Sequence, residues 1–144
     1  MNKLKTEKQK QIIAALIEGN SIRATCRMTG ADLKTVLKLL VSVGTACKEY
    51  QDRVLRDLTC KRIQCDEIWS FVYAKEKNVP EDKQGEFGFG DVWTFTAICA
   101  DSKLVPSWHI GRRDLPNATV FMKDLASKVK EQSSAYHRRS QDVS

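Results

Sequence analysis

The sequence has no apolar run approaching the roughly 18 residues that a membrane span requires, so no membrane partner is expected. The basic N-terminus, MNKLKTEKQK, lacks the apolar core of a signal peptide. Histidine is scarce, with only His109 and His137. The five cysteines are an odd number and form no Cys-x-x-Cys pair. Cys60 and Cys65 are the closest two, without a histidine beside them to complete a zinc set. Either a structural zinc or reduced, mostly buried thiols fit this pattern, and the thiols match a cytoplasmic protein. Internal repeats are also missing.

What is present is charge, unevenly placed. The formal net charge is +6. Residues 1–62 hold 13 Lys/Arg against 6 Asp/Glu, and residues 63–144 hold 11 against 12. A basic first part joined to a nearly neutral remainder suggests two functions. The first part is either a binder of phosphate backbones or a solvated basic face.

The apolar period divides the chain in the same way. In residues 6–18 Ile12 and Leu16 lie four apart, as do Ile13 and Ile17, which predicts a helix. Ser21 can cap a second short helix, IRATCRMT, and Asp32 a third. The third is long, with apolar steps of three or four from Leu33 through Val36, Leu37, Leu40, Val43, Cys47, Tyr50 and Val54 to Leu58. Such a seam could also pair with a second copy, so a homo-oligomer is open. From residue 62 the pattern becomes β-rich. Strands are predicted in RIQCDEIWSFVYA, DVWTFTAICA and LVPSWHIGR, with a loop over KEKNVPEDKQGEFGFG. Pro106 marks a bulge or an edge strand. A helix follows in DLPNATVFMKDLASKVK, with Asn117 as a candidate cap. The expected fold class is therefore α+β. Residues 1–60 form a three-helix helix-turn-helix region, 61–131 a domain of three antiparallel strands and one helix, and 132–144 a polar tail expected to be disordered.

Two constellations carry chemistry. In SIRATCRMTGADLKTVLKLL, Gly30 permits a tight turn between helices, Cys26 four residues earlier permits close approach, and Val36 packs beneath. The second helix would offer Lys34, Thr35 and Lys38 to a major groove, while Arg23 and Arg27 would reach phosphates. The same pattern also occurs in purely structural helix pairs. The second constellation is Asp66-Glu67 at the head of an apolar strand. Asp66 could be solvated, could pair with Lys61 or Arg62, or could hold a metal ion. On a regular strand Glu67 points to the opposite face, where a salt bridge or a surface position is expected. His109 is expected as a strand residue, and Arg112 and Arg113 as surface or DNA-facing charges.

The segments CDEIWSFVYAKEKN, GDVWTFTAICADSKLVPSWHIGRRD and ATVFMKDLASKV resemble the N-terminal half of bacterial insertion-sequence transposases of the DDE class, in the group of the first-described insertion sequence. The helix-turn-helix ahead of them is similar too, and the resemblance runs to about residue 130. It implies a ribonuclease-H-like fold and Mg²⁺-dependent cutting and joining of double-stranded DNA at transposon ends. It also implies that Asp66 is the first catalytic carboxylate and a Mg²⁺ ligand. No other cofactor is expected.

The sequence departs from the family where its second and third acids should follow. Asp101, Asp114, Asp124, Glu131 and Asp142 are poor replacements, and no apolar strand begins near residue 131. The expectation is a truncated transposase that binds DNA but lacks strand-transfer activity and tight Mg²⁺ binding. Its sheet would have an unpaired edge, with Trp69, Trp93, Trp108 and Phe95 partly exposed. Two alternatives stand beside it. A stand-alone helix-turn-helix regulator with an accessory sheet domain would have a soluble second half. An active nuclease would show Mg²⁺-dependent cleavage lost in Asp66→Ala.

Overall fold

The computed structural model describes residues 4–130 and 134–137. The chain is mixed α+β and divides into two compact units, Met1–Arg53 and Val54–Ser144.

The first unit begins with α1 (Thr6–Ile17), α2 (Ile22–Thr29) and α3 (Leu33–Val54). The predicted caps form. Ser21 Oγ accepts from the Ala24 N–H at 3.1 Å, and Asp32 Oδ2 accepts from the Lys34 N–H at 2.9 Å. Gly30 ends α2 in the left-handed conformation at φ 68°, and its N–H donates to the Cys26 carbonyl at 2.8 Å. Lys8 Nζ donates to the Thr29 carbonyl at 2.5 Å, which satisfies a C-terminal orphan of α2 and ties it to α1. The core is small: Ile12, Ala15, Thr25 and Val36 are its buried side chains. Only Val36 of α3 is buried.

The sequence predicts that α3 continues to Leu58, but it stops at Val54. Asp57 is left-handed at φ 51°. The backbone of Leu58 is engaged elsewhere: its N–H donates to the Lys128 carbonyl at 2.9 Å, and its carbonyl accepts from the Lys130 N–H at 3.1 Å. A long-range backbone pairing has overridden the local helical period.

The second unit contains β1 (Arg62–Val72), β2 (Gly90–Cys99), β3 (Ser107–Gly111), α4 (Leu115–Lys128) and β4 (Ser134–His137). The sheet order is β3-β2-β1-β4. The first three strands are antiparallel, with Asp66 opposite Thr96 and Thr96 opposite Trp108. β4 runs parallel to β1, from Arg62 beside Ser134 to Cys65 beside His137. This corrects the expectation of structure-free residues over that part of the tail. Backbone N–H and C=O groups along an open strand edge accept any extended partner, so a short polar segment can pair without an apolar pattern. The remainder of residues 131–144 lies outside the described residues. Pro106 is buried just ahead of β3, and β3 is an edge strand, where a missing donor is tolerated.

Residues opposite one another on antiparallel strands share a face. Ile63 with Cys99, Cys65 with Ala97, and Glu67 with Phe95 therefore face the same side. Against this side α4 lays Phe121 and Leu125, closing a core that also includes Cys60. The Phe95 and Phe121 rings lie 5.8 Å apart. Phe95, expected to be partly exposed, is only 3% exposed because α4 covers it. Asp114 rather than Asn117 caps α4: its Oδ1 accepts from the Asn117 N–H at 3.0 Å. Asn117 then turns its own Oδ1 to His109 Nε2 at 2.8 Å. A β-carbon at Gly111 would sit 2.1 Å from that Oδ1, so glycine leaves the space that the Asn117 side chain fills.

Candidate functional site

The first candidate is the α2–Gly30–α3 unit. Val36 is fully buried, as its predicted role requires. The small residue beneath the helices is Thr25, fully buried, whereas Cys26 is only half-buried. The residue that packs is thus the neighbour of Cys26, the position that the spacing indicates. The Thr25 hydroxyl oxygen is buried without a hydrogen-bond partner, although its backbone carbonyl accepts from the Thr29 hydroxyl at 2.7 Å.

Around this turn Arg23, Arg27, Lys34 and Lys38 are exposed and Thr35 is half-buried. Lys34 and Lys38 stand one turn apart on α3, and Arg23 and Arg27 one turn apart on α2. No carboxylate lies between Arg23 and Arg27. On the first two turns of α3 the only acid is Asp32, engaged in capping. Exposed cations grouped this way attract anionic groups by charge.

The second candidate is Asp66. It sits in the middle of β1 on the face away from α4, and it is exposed rather than buried. One carboxylate oxygen accepts from the N–H of Glu67 at 2.8 Å. The free-energy cost that would demand a buried partner is therefore absent. Neither Lys61 nor Arg62 is its partner in an observed ion pair; Arg62 instead pairs with Asp101 at 2.9 Å. Glu67 points to the opposite face, is half-buried, and pairs with Arg113. Arg113 also lies over the Trp93 ring, 5.1 Å from its centroid.

Asp101, Asp114 and Asp124 have structural partners. Asp101 sits in the turn with Arg62. Asp114 caps α4, and the Asn117 N–H holds its carboxyl below the usual carboxylate value. Asp124 Oδ2 accepts from the Ser107 hydroxyl at 2.5 Å and meets Lys128 Nζ at 3.0 Å, on the α4 side of the sheet. Glu131 and Asp142 lie outside the described residues. Among the described residues no three His, Cys, Asp or Glu side chains come together as metal ligands. A two-metal site needs several convergent carboxylates, and Asp66 supplies one, so this donor set does not fit the Mg²⁺ pair that the resemblance implies.

All five cysteines are free thiols. Burial pushes the Cys60 thiol up to about 11, while hydrogen bonding from the Ser102 side chain draws Cys99 down to about 7. Both belong to the core under α4. His109 is a half-buried strand residue bonded to Asn117. A shallow concavity of about 550 Å³ lies at the far end of β1, lined by Trp69, Lys75, Glu76, Lys77, Gln84 and Asp91; it does not include Asp66. Among the described residues no helix is long and apolar enough to cross a membrane. Compared with models of known protein families and with curated proteins, the chain matches none.

Proposed function

We propose that this chain is a DNA-binding protein of the insertion-sequence transposase type. It engages double-stranded transposon ends through residues 21–40, and by itself it neither cuts nor joins DNA. The observation that carries the proposal is the α2–α3 unit. A capped short helix, a left-handed Gly30 and a buried Val36 set two helices at a tight turn, with Arg23, Arg27, Lys34 and Lys38 exposed around it. The second helix is the one that enters a major groove in a helix-turn-helix.

The second unit supports the transposase part of the proposal. A ribonuclease-H-like domain begins with a strand bearing a central aspartate, followed by two more strands in an antiparallel meander and a helix. The antiparallel strands β1, β2 and β3 with Asp66 central on β1, followed by α4, support that reading. Catalysis is not proposed for this chain alone, because Asp66 has no carboxylate beside it among the described residues.

Fluorescence anisotropy with a labelled duplex at two salt concentrations tests the binding. Affinity should fall with salt, and Lys34→Ala with Lys38→Ala should weaken it further, lowering the salt slope by about 1 per lysine removed. Unchanged binding in the double variant would remove α3 from the interface. Mg²⁺-dependent cleavage of the duplex by the purified chain, lost in Asp66→Ala, would refute the inactivity.

A further inference from the structure

We infer that Cys60 and Cys99 form an oxidisable pair, a modification site at which peroxide closes a disulfide between the entry to β1 and the end of β2. The two residues meet in the core under α4, where they are 5% and 2% exposed. Cys60 lies just ahead of β1, and Cys99 is the last residue of β2, opposite Ile63. The Ala100 N–H donates to the Arg62 carbonyl at 2.9 Å, which fixes the two chain segments beside each other at this end of the sheet. The two thiols are themselves hydrogen-bonded. Cys65 shares the covered face but not the reach. It stands opposite Ala97, on the diagonal from Cys99, where strand geometry separates residues by about 7–8 Å. A disulfide usually needs Cα atoms within about 6.8 Å. Cys26 and Cys47 belong to the first unit.

The surroundings of the two sulfurs differ, and the difference assigns their roles. The Ser102 hydroxyl and the backbone N–H groups of Ser102 and Asp101 converge on Cys99, and Cys60 adds its own S–H. Donors gathered around one sulfur favour its thiolate, and Cys99 is drawn down to about 7. Cys60 is pushed the other way, first by burial and then by Cys99, to about 11. Cys99 is therefore the attacking sulfur and Cys60 the one that completes the bond. The turn that supplies the donors is exposed at Asp101, Ser102 and Lys103, so a molecule as small as peroxide has a short way to Cys99.

The Cys99 thiolate attacks one peroxide oxygen and the O–O bond breaks, giving a sulfenic acid and hydroxide. The hydroxide takes up the proton that the Cys99 thiol released on ionising. The Cys60 sulfur then attacks the Cys99 sulfur, the S–O bond breaks, and the departing hydroxide leaves with the Cys60 proton as water. Each sulfur is oxidised by one electron, and peroxide is reduced by two to water. The disulfide closes residues 60–99 into a loop, which restricts the unfolded chain and so stabilises the folded one. Leu58, just ahead of Cys60, is already bonded to the end of α4 through Lys128 and Lys130. The link therefore staples the entry to β1, the end of β2 and the end of α4 together.

Peptide mapping of the full chain tests the inference. The reduced protein is treated with a small excess of hydrogen peroxide, its remaining thiols are blocked in acid denaturant, and it is digested without reductant. A peptide linking Cys60 to Cys99 should appear, and a thiol reductant should remove it. Cys60→Ser removes the sulfur that completes the bond, so Cys99 should instead be found carrying one or more oxygens. Far-UV circular dichroism checks that the variant is folded, and the wild-type map decides the pairing without it. The oxidised wild type should melt about 10 °C above the reduced form, and Cys60→Ser should show no such rise. A link from Cys99 to any other cysteine overturns the inference. So does a map in which Cys60 and Cys99 stay thiols while the exposed Cys47 is oxidised, or a link that forms only in denaturant. An oxidised form that melts no higher overturns the staple. None of these outcomes depends on DNA binding.

Discussion

The two faces of one sheet have different fates. On the α4 side, Ile63, Phe95, Ala97 and Cys99 are buried under Phe121 and Leu125. On the other side Asp66, Ile68, Val72, Trp108 and Ile110 are exposed. Both faces come from the same strands, and both are rich in β-formers. β-Propensity therefore made the strands, while α4 alone decided which alternate residues became core. Asp66 belongs to the exposed face. A carboxylate beside Ile68 is tolerated there because it keeps its water.

The largest expected effect breaks the covered face. Phe121→Ala removes the ring that meets Phe95 and leaves a cavity in a core built from one helix. A cost of about 3–5 kcal/mol is expected, enough to unfold the second unit. Loss of its cooperative transition in chemical denaturation, with the helical unit still giving a far-UV signal, would show it. A loss below about 1 kcal/mol would mean that α4 is not what closes this core.

A change on the other face should do little. Ile68→Thr keeps a β-branched residue and removes exposed apolar surface, so stability should shift by no more than about 0.5 kcal/mol while solubility rises. Adding Mg²⁺ should leave the melting temperature unchanged in both the wild type and Asp66→Ala, since a ligand stabilises only by binding the folded state. A Mg²⁺-dependent rise lost in Asp66→Ala would show that Asp66 has ion-binding partners and would make the two faces chemically unlike as well.

These contrasts also show what could be read before the structure. The elements were legible because their periods are strong: three or four in α1 and α3, two in β1 and β2. Caps at Ser21 and Asp32 were legible from residue type, since a short oxygen side chain ahead of an apolar helix has few other uses. The faces were not legible. Period two states that alternate residues differ, but it does not say whether Asp66 or Glu67 points to the covered side. Phe95 was expected to be partly exposed because one helix promised an incomplete core, yet α4 covers it. The end of α3 and the strand at Ser134–His137 were missed because backbone pairing across long sequence separations sets them. In the helix-turn-helix, spacing identified Gly30 and Val36 but chose Cys26 over Thr25. A one-residue step turns a helical side chain by about 100°, and only packing resolves it.

A similarly small effect tests the rim between the faces. Glu67 turns toward the covered side beyond the edge of the aromatic core and pairs with Arg113, but both partners keep contact with solvent. Glu67→Gln should therefore cost only about 0.2–1 kcal/mol, and high salt should narrow the difference. A double-mutant cycle with Arg113→Gln measures it. A coupling well above this would mean that the pair is part of the α4-side core rather than its rim.

A pH-dependent effect lies at the start of α4, the element on which the asymmetry rests. The Asn117 N–H holds the Asp114 carboxyl below its ordinary value of 3.8. A depressed acid stabilises the fold in its ionised form. The contribution is fully present above the unfolded value and is lost as pH falls through the folded one. Asp114→Ala should therefore melt slightly below the wild type at neutral pH, and the gap should close as the pH drops under 3.8. A gap independent of pH would mean that the cap acts through shape alone and that the carboxylate charge adds nothing at the helix start. The covered face would then depend on where Asp114 and Asn117 place the first turn against Gly111, and not on the helix dipole.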